Sequence, residues 1–184
     1  MSKDPDDLER PIRTARDPVA FAPLVERHST DLHGYFARRA PQAADDLLAE
    51  LWLRAYEARR GFDPARGSVR AWLFGVARNV LSAHWRRLAA HRPGIPRHIG
   101  ADDPWEAVDD RLVAAALAPR LRGMLAGLPP GERELLLLVA WEQLTPTEAA
   151  AVVGIPAATA RTRLHRARTR MREGAARDMT GDPT

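Results

Sequence analysis

The chain has 184 residues, 45% of them hydrophobic and 28% charged, with a formal net charge of +4 and no cysteine. That length suits one ordinary domain or two small helical ones, and the missing cysteines exclude disulfides, a thiolate nucleophile and a Cys-ligated zinc site. No apolar run approaches the roughly 20 residues that cross a bilayer, and the Asp-, Arg- and Pro-rich start lacks the apolar stretch of a secretory signal, so the chain reads as soluble, cytoplasmic and without membrane insertion.

Residues 1–17 read as a disordered tail, with Asp17-Pro18 as a helix start signal. Phe21, Leu24, Val25, Leu32, Tyr35 and Phe36 then recur at helical spacing, which predicts one or two helices up to Arg39. Leu47, Leu48, Leu51, Ala55 and Tyr56 predict another over Asp45 to Arg60, stopped by Gly61. Phe62 to Ser68 is a loop by composition, and Ser68 is placed to cap a third helix running to about Leu88 with Trp72, Leu73, Val76, Val80 and Leu81 on its apolar side.

Prolines and glycines then break the pattern, and residues 89–111 read as a flexible linker between a first domain at 18–88 and a second at 112–173. Apolar periodicity resumes from Leu112 to Leu125, and Leu128-Pro129-Pro130-Gly131 is a turn opening a helix from Glu132 to Trp141. Leu135 to Val139 is a continuous apolar run whose length and flanks favour a buried helix over a strand. Residues 174–184 read as a second disordered tail, and the fold class is all-α, two small helical domains on a flexible linker.

The most informative stretch is Leu144 to Leu164, which reads as helix, tight turn, helix. Thr145, Pro146 and Glu148 stand at the N-cap, N1 and N3 positions of a capping box. Ala149, Ala150 and Val153 offer a small, close-packing face, and Gly154 supplies a positive-φ residue for the turn. Pro156 stands where a capping Ser or Thr is expected before the second helix. In that helix Ala160, Leu164, Ala167 and Met171 are spaced to face the core, leaving Arg161, Thr162, Arg163, His165 and Arg166 for a DNA major groove.

Charge is segregated along the chain. Six arginines and His165 lie between Arg161 and Arg172 with no carboxylate, while Asp102 to Asp110 holds five carboxylates and no basic residue. An arginine stripe is the electrostatic footprint of a nucleic-acid surface, although a solvated helix face has the same composition.

A helix-turn-helix fits many regulators, and the first domain decides the class. Asp46-Leu47-Leu48-Ala49-Glu50-Leu51-Trp52-Leu53-Arg54-Ala55-Tyr56 and the run from Phe62 to Asn79 resemble regions two-point-two to two-point-three of the extracytoplasmic-function sigma factors. Leu128 to Arg133 and Thr162 to Arg168 resemble that family's region four, and the resemblance spans about Phe21 to Arg172.

The resemblance implies an initiation factor that binds core RNA polymerase through exposed positions including Asp46 and Glu50, with Ala49 where the family usually has Gln. It implies capture of an unstacked minus-ten base by the Phe62 to Ser68 loop and the following helix, with Phe62, Asp63, Arg70, Trp72 and Asn79 of suitable chemistry and Arg78, Arg86 and Arg87 on phosphates. Trp72 also fits a core aromatic, and Asp46 and Glu50 also fit a solvated helix face. Arg161, Thr162, Arg163, His165 and Arg166 would read the minus-thirty-five duplex. An anti-sigma factor is a partner by analogy alone, and no cofactor, metal or catalytic residue is implied.

The competing reading is a stand-alone helix-turn-helix regulator, which leaves the first domain unexplained. An enzyme is disfavoured because the histidines at 28, 33, 84, 91, 98 and 165 show no metal-ligand spacing and no nucleophile or phosphate-loop motif occurs. A purely structural helical adaptor would tolerate loss of the arginine stripe.

Overall fold

The computed structural model describes residues 21–90 and 119–180. The expected tail at 1–17, the Asp17-Pro18 signal, nearly all of the expected linker and residues 112–118 lie outside the described residues, as do 181–184. Among the described residues all regular structure is helical, and the chain divides into two compact units between His84 and Trp85. Each is described by itself.

In the first unit, α1 (Ala22–Arg39) buries Leu24, His28, Leu32, Tyr35, Phe36 and Arg39, one stripe at spacings of three and four. A 3-10 turn at Pro41–Ala43 leads into α2 (Ala44–Ala58), which packs on α1 through Ala44, Leu47, Leu51 and Ala55. Leu48 and Tyr56, expected on that face, are only half-buried: Leu48 flanks its edge, and Tyr56 lies well off it, meeting Phe21 edge to face at 5.7 Å between centroids. Gly61 does end the element, through a 3-10 turn at Arg59–Gly61.

A further 3-10 turn (Pro64–Arg66) fills the loop before α3 (Val69–Ala90). Its neighbour Gly67 has φ 147°, where a side chain is strongly disfavoured. Ser68 caps α3 as expected, its Oγ accepting from the Ala71 amide at 3.2 Å. The core closes where Phe74 meets Tyr35 edge to face, 5.6 Å between ring centroids.

His28 is a buried ionisable group on α1's inner face. Burial holds its pKa below the ordinary 6.5, Arg27 and Arg70 push it the same way, and Asp31 opposes them. Below 6.5 the unfolded chain therefore takes up the proton before the folded one does. The stability that neutral His28 permits is present above 6.5, falls with pH below it, and levels off once the folded His28 also titrates. Urea midpoints should thus drop more steeply below pH 6.5 for the wild type than for His28→Gln, and parallel profiles would refute this.

The second unit holds α4 (Pro119–Ala126), α5 (Pro130–Ala140), α6 (Pro146–Val153) and α7 (Ala157–Thr180). Leu135, Leu137 and Leu138 are buried on α5, so the continuous apolar run is a core helix. Arg133, also buried, donates from Nη2 to the carbonyls of Ala126 (3.2 Å) and Leu128 (3.1 Å), tying the end of α4 to the turn before α5. Helix α7 continues to Thr180 through part of the stretch whose composition reads as a tail. At Gly174, where a Cβ would lie 3.3 Å from Met124, α7 passes close against α4.

Candidate DNA and polymerase interface

The helix-turn-helix is α6, a turn and α7. Thr145 Oγ1 accepts from the Glu148 amide at 3.2 Å, and Glu148 Oε2 accepts from the Thr145 amide at 2.9 Å, completing the capping box. Gly154 closes α6 in the left-handed region (φ 78°, ψ 34°). The buried face of α6 is Ala149, Ala150 and Val152; Val153, expected there and spaced to face the core, is half-buried at the last residue of the helix. Thr145→Ala is expected to destabilise the second unit by about 1 kcal/mol. An unfolding midpoint indistinguishable from wild type would show that the box is dispensable.

On α7, Ala160, Leu164 and Ala167 are buried and Met171 is half-buried, so the predicted inner face is observed. At 100° per residue, 162 is the candidate that points most directly away from the core, with 165 and 166 each about 50° to either side of that direction, while 163 and 170 lie on one flank and 161, 168 and 172 on the other. The contacts agree. Arg170 pairs with the buried Glu132 of α5, and the Arg163 guanidinium fills the space a side chain at Gly131 would need, a Cβ there lying 3.1 Å from its Nη1. Arg161, Thr162, His165 and Arg166 are exposed, with the Thr162 hydroxyl donating to the Ala158 carbonyl at 3.1 Å.

Five residues from the sequence reading therefore do not form one surface. Arg163 is half-buried against α5, and His165 lines a groove of about 530 Å³ between α4, α5 and α7 together with Leu121, Leu136, Trp141, Met171, Arg168 and Arg172. The groove, the Glu132–Arg170 pair and the left-handed Gln143 (φ 53°) before α6 had no signal in the sequence beyond ordinary helix composition.

The structure divides the candidate minus-ten residues as well. Trp72, Asn79 and Arg86 are seven residues apart on α3 and so share one stripe, Trp72 half-buried and the other two exposed. Arg87 is exposed and Arg78 half-buried on the same helix. Phe62 is only 3% exposed and lies under Trp72 at a centroid distance of 5.5 Å, so it supports that indole instead of offering its own face to a base. Arg70 points toward α1: its Nη2 is 3.3 Å from Asp31, and its guanidinium lies 5.2 Å from the Phe74 ring centroid. Asp63 is exposed, and its carboxylate caps the Pro64–Arg66 turn by accepting from the Ala65 amide at 3.0 Å.

Asp46 is exposed in the first turn of α2, where a carboxylate also complements the helix dipole. Glu50 is half-buried and pairs with Arg54 at 2.6 Å, one turn further on. Among the described residues no cluster of three or more His, Asp or Glu is arranged to hold a metal, and no helix is long and apolar enough to cross a membrane.

The family model for Sigma-70 region 2 matches residues 24–91 and that for Sigma-70 region 4 matches residues 119–171. The ECF RNA polymerase sigma factor RpoE of Cereibacter sphaeroides is 32% identical over 174 residues, covering 90% of this chain and 92% of its own. The chain belongs to the extracytoplasmic-function RNA polymerase sigma factors. A solved structure of the sigma factor CnrH in complex with the cytosolic domain of CnrY is similar at a TM-score of 0.63 and 28% identity, covering 95% of this chain and 99% of that one. The fold is shared also with RpoE of Bartonella quintana, solved with the anti-sigma factor NepR, at a TM-score of 0.56 and 19% identity over 85% of this chain and 96% of that one. This sigma factor is thus a DNA-binding, promoter-recognising factor of transcription initiation, and its two units are the region 2 and region 4 domains. A stand-alone regulator would have no use for the first of them.

Proposed function

We propose that this sigma factor docks on core RNA polymerase through the exposed face of α2 around Asp46 and Glu50, holds the minus-ten strand along α3, and reads the minus-thirty-five duplex with α7. The observation that carries the reading is the division of α7 into a buried alanine and leucine stripe and an exposed face bearing Arg161, Thr162 and Arg166. A helix anchored along one side in this way can enter a major groove without disturbing its own core. Exposed guanidinium groups supply both phosphate neutralisation and bidentate contacts to guanine.

On α3, the stripe through Trp72, Asn79 and Arg86 has the chemistry that an unstacked strand needs: an indole for stacking, an amide for base edges and a cation for phosphate. Its span is about 21 Å, from 14 residues at 1.5 Å each, which is long enough to follow several nucleotides. Asp63 keeps the preceding loop in shape, and Arg70 sets α3 against α1.

The role is one of binding, with catalysis left to the polymerase, and its place of action is the cytoplasm, where that enzyme works. An anti-sigma partner covering the α2 face fits the same surface logic, since a region 2 occupied there could not join the polymerase. The groove beside α7 is apolar and so suits a protein helix better than DNA.

Size-exclusion chromatography of the chain with core RNA polymerase, followed by run-off transcription, tests the reading. Co-elution with promoter-dependent transcripts is the expected result. Failure to bind core, with promoter-length DNA still retained by the chain alone, would overturn it.

A further inference from the structure

Helix α2 carries one feature that neither its packing nor its charge accounts for. Leu53 is 68% exposed, and among the described residues only Leu88 is a comparably exposed large apolar side chain. A single surface leucine is ordinary; the surroundings of this one are not. At 100° per residue Leu53 lies about 20° from Asp46 and about 160° from the mean direction of Leu47, Leu51 and Ala55, so it points almost straight away from the core. Exposed Ala49 precedes it by one turn, and Asp46, Glu50 and Glu57 line one side of the pair, Glu50 held there by Arg54 at 2.6 Å. The face therefore has a small apolar centre with an acidic rim along one side, the anatomy of a protein-binding patch in which the centre is desolvated and the rim stays wet.

We infer that Leu53 is the apolar anchor of the polymerase-docking face, covered by core polymerase when the holoenzyme forms. This rests on the reading of α2 as the docking helix and adds what holds it there. Ala49 lets the partner approach closely beside Leu53, and the carboxylates face basic side chains next to an apolar patch on the polymerase. The rim steers encounter and responds to salt, whereas burial of the leucine does not. The acidic face by itself would give an association that dissolves at high ionic strength, and the anchor removes that dependence from the central term.

The test uses the full chain and core RNA polymerase, with binding measured by fluorescence anisotropy at low and at high salt. Leu53→Ser, with Leu53→Ala as a second variant, should bind about tenfold more weakly at both salts with an unchanged thermal midpoint, since the side chain is outside the core. Asp46→Lys combined with Glu50→Lys should weaken binding mainly at low salt. Leu53 variants that bind within about twofold of wild type while the charge-reversed pair is weakened would overturn the anchor and leave the docking face standing. The anchor also fails if the Leu53 loss disappears at high salt. Wild-type affinity in all variants would overturn the assignment of α2 as the docking helix, and the anchor with it.

Discussion

Replacing Arg161 and Arg166 together by alanine should lower promoter-directed run-off transcription by about 30-fold or more while leaving core polymerase binding unchanged. Each well-placed guanidinium contact to a base edge contributes about 1–3 kcal/mol of discrimination, and both residues are exposed on α7 with no structural partner among the contacts described above. Truncating them removes no core packing, so the loss belongs to DNA recognition. The same variant should show a shallower salt dependence of promoter binding, by about one phosphate equivalent for each arginine that contacts the backbone. Arg163→Ala is the informative contrast. Its guanidinium sits over Gly131 at the start of α5, so its removal should weaken the seat of α7 as well as DNA binding and should appear in the unfolding midpoint. A double variant with wild-type promoter activity would remove the recognition helix from this mechanism.

Phe74→Ala is expected to cost the region 2 unit about 3–5 kcal/mol. Phe74 is 1% exposed and forms the ring contact with Tyr35 that joins α3 to α1, and the Arg70 guanidinium lies 5.2 Å from its ring centroid. Removing it opens a cavity that rigid neighbouring helices cannot fill. Against a total of about 5–15 kcal/mol for a domain, that loss leaves the unit marginal, and polymerase binding should fail with it. Urea unfolding followed by circular dichroism measures the change. A loss below about 1 kcal/mol would mean that the α1–α3 contact contributes little to stability.

Local signals account for much of what was legible. Ser68, Thr145, Glu148 and Gly154 each act through backbone groups within a few residues, so their roles follow from spacing alone, and the structure shows all four as read. Apolar periodicity located α2, α3, α5 and α7, because helical spacing converts directly into a buried stripe. Its misses are few: Tyr56 lies well off the buried stripe of α2, and Val153, the last residue of α6, is half-buried while Val152 on the flank is buried.

Side chains acting over long separations were not legible. Phe62, Arg70, Arg163 and His165 all have chemistry suited to nucleic acid, and composition cannot tell a free guanidinium or ring from an engaged one. Arg70 meets Asp31 across 39 residues, and Arg170 meets Glu132 across 38, pairings that depend on where α3 and α7 lie against their neighbours. Arg133 looks like a surface residue in a charged turn and is a buried tie between carbonyls.

The sequence by itself thus determined the helical class, the order of the two units, the helix-turn-helix and the arginine stripe on α7, because these rest on local backbone chemistry and on periodicity. Only the tertiary structure decided which of those arginines face outward, that Phe62 supports Trp72 while Trp72, Asn79 and Arg86 share a stripe, and that Leu53 stands exposed beside an acidic rim. The physical reason is that exposure is a property of neighbours: a side chain becomes available to DNA or polymerase when no other helix has claimed it, and that is settled by packing between residues far apart in the chain.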